Sequence, residues 1–220
     1  MLKANFITAQ EAAEKIQDGS TLCTIGMTLV SASESILKAI EKRFETVGHP
    51  ADITLVHSCG QSDRKDGIQH LAHEGLVKRI VGSHWGLQPR WMEMIANSQV
   101  EAYCLPQGQI AQLYRSMACG LPGKMSKVGL GTFIDPRVEG GKMNDRTKPL
   151  PDIVDILEYG GEEYMFYKEI PLDTVLIRGT VCDEMGNLTT TEEAMKLEVL
   201  PAVLAAKRYG GRVIAQVKQV

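Results

Sequence analysis

Pro106-Gln107-Gly108 joins a β-like run, VEAYCL, to a helical run, QIAQLYRSM, with no longer linker between them. The joint holds one residue without an N–H, one without a side chain, and an uncharged amide between them. A glutamine amide donates a hydrogen bond without carrying fixed charge. At the end of a strand it could stabilise an oxyanion or hold a carboxylate, and it would leave a nearby anionic nucleophile unneutralised. The same tripeptide also reads as a plain turn. Gly26-Met27-Thr28 follows the first strand-like run, where a dinucleotide fold carries its glycine fingerprint. The sequence there is GMTLVSA, not GxGxxG, which argues against a nicotinamide cofactor. A glycine at that point still lets backbone approach a ligand closely.

Other polar residues are weaker candidates. His70 and His73 lie three apart beside Glu74, so on a helix they would share a face. The spacing is not HExxH and no third zinc ligand is evident, so the expectation is histidines bonded at a surface, with no metal. His84 in "SHWG" falls at a strand end, where it could line a cleft, while Trp85 and Trp91 read as core. Asp135 in "GTFIDPR" is either a base or the opener of an Asp-Pro turn. No GxSxG, Walker A or nucleophilic-cysteine context is present.

The elements that must position these residues can be read in order. Thr8-x-x-Glu11 is a capping box before AAEKI, and Asp18-Gly19 closes that helix. STLCTIG reads as a buried strand. Ser31-x-x-Glu34 predicts a cap for a second helix in which Ile36, Ile40 and Phe44 repeat at four-residue spacing. ITLVHSCG and the segment from Lys78 to Ser83 are further strands, separated from VEAYCL by a helix that Pro89 opens. A helix from Gln109 to Met117 follows, and KVGLGTF is expected as a short strand. DIVDILEYGGEEYMFYKEI alternates polar and apolar residues around Gly160-Gly161, as a β-hairpin does. TVLIRGT is again a continuous apolar run, with a turn after it at Gly186-Asn187. LEVLPAVLAAKRYGG is a helix that Pro201 either kinks or opens, and RVIAQVKQV is a last strand. Alternating strands and helices predict an open, mainly parallel sheet covered by helices in three αβα layers, with an antiparallel β-hairpin insertion. Residues 1–220 are expected to form one domain.

The 220 residues carry a formal net charge of -3, which gives no electrostatic case for nucleic acid or an anionic membrane. Five cysteines without a CxxC pair fit reduced, mostly buried thiols. There is no apolar N-terminal leader or membrane-length apolar run, so a cytoplasmic location is expected.

Taken together, "HEGLVKRIVGSHWG", "LPQGQIAQLYRSMACGLPG", "VGLGTFIDPRVEGGKMND", "EEYMFYKEI" and "TVLIRGTVCDEMGNLT" resemble the N-terminal half of family I coenzyme A transferases. The likeness is to those acting on acetate and propionate, and it spans the whole chain. The resemblance implies an active site formed between two related halves. It implies acyl-CoA and short-chain carboxylates as substrates, no cofactor, and a C-terminal half or beta-type subunit as partner, in a homo-oligomer. Gln107 is then the residue of this half that touches substrate, with Gly108 beside it, and Gly26, Met27 and Thr28 form the first loop of the cleft. The family's nucleophile is a glutamate within a Glu-Ser-Gly or Glu-Asn-Gly segment of the other half, and neither tripeptide occurs here. Glu34, Glu74 and Glu139 are expected as cap, surface or loop residues. The chain also stops in an apolar strand, before the family's usual closing strands. The expectation is therefore half of a CoA-transferase, or part of that half, inactive by itself. Two rivals remain: a sugar-phosphate isomerase or deaminase of similar fold, and a binding module that kept the fold without the catalysis.

Overall fold

A computed structural model describes residues 3–220. Six parallel strands form the main sheet in the order β4-β3-β2-β1-β8-β9, with β1 at Thr21–Thr24, β2 at Ile53–Val56, β3 at Val77–Gly82 and β4 at Glu101–Cys104. β8 is Thr174–Val181 and β9 is Arg212–Gln219. The strands read as continuous apolar runs because both faces of the sheet are covered. Side chains alternate between two cores: Leu22, Leu55, Ile80 and Ala102 face one, and Cys23, Val56, Val81 and Tyr103 face the other.

The first core is closed by α1 (Ala9–Glu14), α2 (Glu34–Val47) and α3 (Pro89–Ala96), the second by α4 (Gln107–Ala118) and α5 (Val199–Arg208). Winding therefore reverses between β1 and β8. In open α/β sheets such a reversal opens a crevice beyond the carboxyl ends of the strands. A second, three-stranded antiparallel sheet, β5-β7-β6, holds β5 (Gly123–Ser126) against the predicted hairpin of β6 (Val154–Tyr159) and β7 (Glu162–Lys168).

The Thr8–Glu11 capping box is present in full, and Pro201 sits in the first turn of α5. Two sequence expectations fail. KVGLGTF is not a strand: the chain turns repeatedly there, with Gly129 at φ 102 and Gly131 at φ 69, conformations that no strand adopts. The strand lies just before it, at β5. Ser31 does not cap α2 either. It takes a left-handed backbone (φ 59) and turns its hydroxyl to Met195 O at 3.0 Å, while Ser33 occupies the cap position and spends its hydroxyl on Ile177 O at 2.8 Å.

The loop from Lys127 to Met143 ties the two sheets together. Asp135, buried, accepts from Gly131 N at 2.9 Å, Arg137 N at 3.0 Å and the Arg137 guanidinium at 2.8 Å, and these donors hold its carboxyl well below the usual range. Arg137 reaches on to both carboxylate oxygens of Glu163 on β7, each at 3.0 Å. The loop then runs along the outer edge of β4, where Cys104 N donates to Gly141 O at 2.7 Å and Met143 N to Ala102 O at 3.0 Å. Asp135 is thus the turn anchor and not a base.

Candidate active site at the carboxyl ends of the strands

Because all six strands run the same way, the loops after β1, β2, β3, β4 and β8 meet on one side of the sheet. The loop after β1 is short and closed on itself, with Met27 N donating to Val30 O at 3.0 Å and Val30 N to Met27 O at 2.9 Å. Gly26 at its start is buried, and a Cβ there would lie 3.2 Å from Val30 O and 3.3 Å from Ala32 N, so glycine serves the turn itself. Thr28 has φ 53, and its N–H reaches Gly60 O in the next loop at 2.8 Å. Thr28, Ser31 and Leu197 (φ 46) are non-glycine residues in left-handed backbone, the first two in the loop after β1 and the third just before α5. Such conformations cost free energy and persist where the surroundings dictate them.

Buried polar atoms without protein partners gather in the same region. They include Thr24 Oγ1 at the end of β1, His57 Nε2 and Gln61 Oε1 after β2, Trp85 Nε1 after β3, and Glu198 Oε2 at the N-cap of α5. His57 is fully buried, hydrogen-bonded at Nδ1 to Cys59 O at 2.7 Å, and desolvation pushes its pKa down to about 4, so it is neutral at pH 7. Ser58 donates its hydroxyl to Glu198 Oε1, linking the loop after β2 to the start of α5. Sequence reading passed over His57, Ser58, Gln61 and Glu198. Of these, only Glu198 carried a local signal, an acidic residue three before the proline that opens a helix.

Gln107 and Gly108 are the first two residues of α4, and both are exposed. Pro106 before them cannot offer a capping side chain, and the helix's backbone bonding starts with Gln109 N to Pro106 O at 2.9 Å. The N–H groups of Gln107 and Gly108 and the Gln107 amide therefore have no protein partner among the described residues. They form a cluster of neutral donors at the positive end of a helix. A Cβ on Gly108 would meet nothing among the described residues within 4 Å.

Gln107 and the Gly26–Thr28 turn share this side of the sheet without touching. Strands β3 and β2 lie between them, a separation of about 14 Å at the usual strand spacing. Gly60 and His84 occupy the interval, so the rim runs Thr28, Gly60, His84, Gln107.

The histidine pair lies elsewhere. A 3₁₀ turn at Gly67–Leu71 sets His70 between Glu34, at 2.9 Å, and Glu41, while His73 reaches Glu41 at 2.9 Å. Ligand atoms of Glu34, Asp66 and His70 lie within 4.8 Å of one another, but Lys38 already bridges the two carboxylates at 3.0 and 3.1 Å. Glu34 also accepts from Gly67 N at 2.9 Å, so this cluster pins α2 to the 3₁₀ turn. The buried thiol of Cys23 is pushed up to about 12 and that of Cys104 to about 11, chiefly by desolvation, so neither is an activated nucleophile.

The sequence pattern of the Coenzyme A transferase family matches residues 6–220. The chain belongs to this family. It is 43% identical to caffeate CoA-transferase of Acetobacterium woodii over 98% of its own length and 41% of that protein. The acyl-CoA transferase YdiF of Escherichia coli O157:H7, solved as apoenzyme, superposes with a TM-score of 0.95 at 35% identity. That match covers 99% of this chain and 42% of YdiF. A second YdiF structure, a thioester complex with CoA, gives a TM-score of 0.93 at 36% identity, over 97% of this chain and 42% of that one. The alpha subunit of acetate CoA-transferase from Escherichia coli K12 is 25% identical over 93% of this chain, and there the match covers 83% of the relative. This CoA-transferase chain is accordingly of the alpha, N-terminal type, and spans well under half the length of caffeate CoA-transferase or YdiF.

Proposed function

We propose that the chain is the alpha-type half of a short-chain acyl-CoA:carboxylate CoA-transferase of the acetate and propionate type. It supplies the wall of the active site that binds oxyanion and carboxylate, while a C-terminal half or beta-type subunit supplies the nucleophilic glutamate. The observation that carries this reading is Gln107, an exposed amide with no protein partner, at the N-terminus of α4 beyond the end of β4. In the reaction the glutamate carboxylate attacks the acyl-CoA thioester, and the tetrahedral oxyanion collapses to an acyl-glutamyl anhydride with loss of CoA thiolate. The thiolate attacks the glutamyl carbonyl, releases the first carboxylate and leaves a glutamyl-CoA thioester, which the acceptor carboxylate attacks in turn. Every step passes through an oxyanion, and every acid involved is a carboxylate. A neutral donor stabilises both species without quenching the nucleophile, as a fixed cation would. Thioester and carboxylate simply exchange, so the proposal includes no metal or organic cofactor.

In the enzyme assembled from this chain and its partner half, Gln107→Ala should lose about 2–4 kcal/mol of transition-state stabilisation, the scale of one oxyanion donor. Mass spectrometry should show the glutamate loading with CoA correspondingly slowly, and thermal unfolding should be unchanged because the side chain is exposed. Unaltered turnover with every acyl-CoA tested would overturn the role.

A further inference from the structure

We propose that His84 is a second substrate-binding residue on this wall, donating an imidazole N–H to the carboxylate of the acid substrate. The inference rests on the reading that carboxylates enter this crevice. It starts from the five histidines of the chain. His49 is bonded to Asp18, His57 to Cys59 O, His70 to Glu34 and Glu41, and His73 to Glu41. Neither ring nitrogen of His84 has a partner among the described residues, although the residue is exposed.

Its ring is nevertheless held in a defined place. A Cβ on Gly60 would lie 2.7 Å from His84 Nδ1, and one on Gly86 would lie 3.0 Å from Nε2, so the imidazole fits a space that exists because both residues are glycine. Gly60 takes no left-handed backbone that would itself demand glycine; the missing side chain there makes room for the His84 ring and also for the Gln88 amide, 2.9 Å from a Cβ, and the His84 carbonyl, 3.1 Å from it. Strand register brings the backbone at residue 84 to the same end of the sheet as the start of α4. β3 and β4 pair through Gly82 and Cys104, and Leu105 N donates to Gly82 O at 2.9 Å, which sets residue 84 against residue 106 as the strands end. An imidazole N–H, the Gln107 amide and two free backbone N–H groups thus line one side of the crevice, all donors and none bearing fixed charge. A carboxylate has enough lone pairs to accept from several of them at once.

Histidine side-chain NMR on the 220-residue chain tests this directly. Propionate, added against sodium chloride of equal ionic strength, should shift the His84 ring resonances saturably and leave those of His49, His57, His70 and His73 in place. His84→Gln should remove the responding signal. Gly60→Ala, whose methyl displaces the ring, should weaken the response by roughly tenfold, the worth of one hydrogen bond to a charged group. A His84 signal that ignores propionate, responds equally to chloride, or responds to free CoA alone overturns the proposal. In the assembled enzyme His84→Ala should raise the KM for the acid by roughly tenfold, with a smaller effect on kcat. Normal transfer at an unchanged KM would remove His84 and keep the transferase reading. A propionate response in an assembly that transfers no CoA would keep the contact and remove that reading.

Discussion

His57 shows how far a single residue can be pushed by its position. The Cε1–Nε2 edge of its ring is turned to Gly82, where a Cβ would fall 2.4 Å from both atoms, and no solvent reaches it. The ordinary histidine value of 6.5 falls to about 4 because burial penalises the charged form. The unfolded chain therefore binds a proton that the folded chain refuses. The contribution of His57 to stability is complete above pH 6.5 and is lost as pH falls from there toward 4. By pH 5 the loss reaches ~2 kcal/mol. Urea unfolding at pH 7 and pH 5 should show that difference in the native chain. It should be largely absent in His57→Asn, whose amide can still donate to Cys59 O. Equal pH dependence in the two proteins would show that the ring is not excluded from solvent as described. Gln107 and His84 are the opposite case, exposed polar groups whose side chains have no partner among the described residues.

At the scale of elements, the sequence was most readable where local chemistry and fold agree. Strands buried on both faces announced themselves as STLCTIG, ITLVHSCG and TVLIRGT. Paired glycines marked the hairpin, and Thr8 with Glu11 marked the start of α1. The failures came where distant contacts decided. Ser31 satisfies the capping pattern, yet its hydroxyl belongs to Met195, 164 residues away, and nothing local signals that. KVGLGTF has strand-like residues, but its glycines fold it into turns that Asp135 closes. Gln107 stood out because an amide between proline and glycine is odd in itself, and the structure sets it exposed at the start of α4. His57, Ser58 and Glu198 were not, since their roles depend on which strand ends become neighbours. The Asp135 loop carries a prediction of its own. Asp135→Asn removes a buried carboxylate from three donors and should cost about 2 kcal/mol, the scale of hydrogen bonds to a charged group. Because the loop also clasps the edge of β4, amide exchange should rise across residues 128–143 and spread to 102–108, the segment that presents Gln107. Exchange confined to the immediate turn would mean that the loop does not brace the site.

For the whole molecule, the question is what this wall faces. Leu121, Val128, Phe133, Val138 and Tyr159 are exposed on and around the small sheet, at 41–72% of their surface. The strand β9 has a hydrogen-bonded neighbour on one side only. No helix among the described residues is long and apolar enough to cross a membrane, so these surfaces are not accounted for by a membrane-spanning helix. Exposed apolar side chains and an unpaired strand edge both favour association. Sedimentation should show the isolated chain self-associating as its concentration rises. The chain alone should also form no acetyl-CoA from propionyl-CoA and acetate, and no glutamyl-CoA adduct should be detected by mass spectrometry. The reason is geometric: a nucleophile and its oxyanion donors must be held within hydrogen-bonding distance of one reacting carbon, and the donors here stand on one wall. Glu34 is bound to Gly67 N and His70, and Glu198 accepts from Ser58 at Oε1 while its Oε2 is buried without a protein partner, so neither presents an exposed carboxylate to Gln107. Supplying a beta-type half with its own glutamate should restore transfer. Acetyl-CoA formed by the isolated chain would overturn this division of labour. Glu198, the carboxylate seated at this end of the sheet, would then be the first residue to substitute.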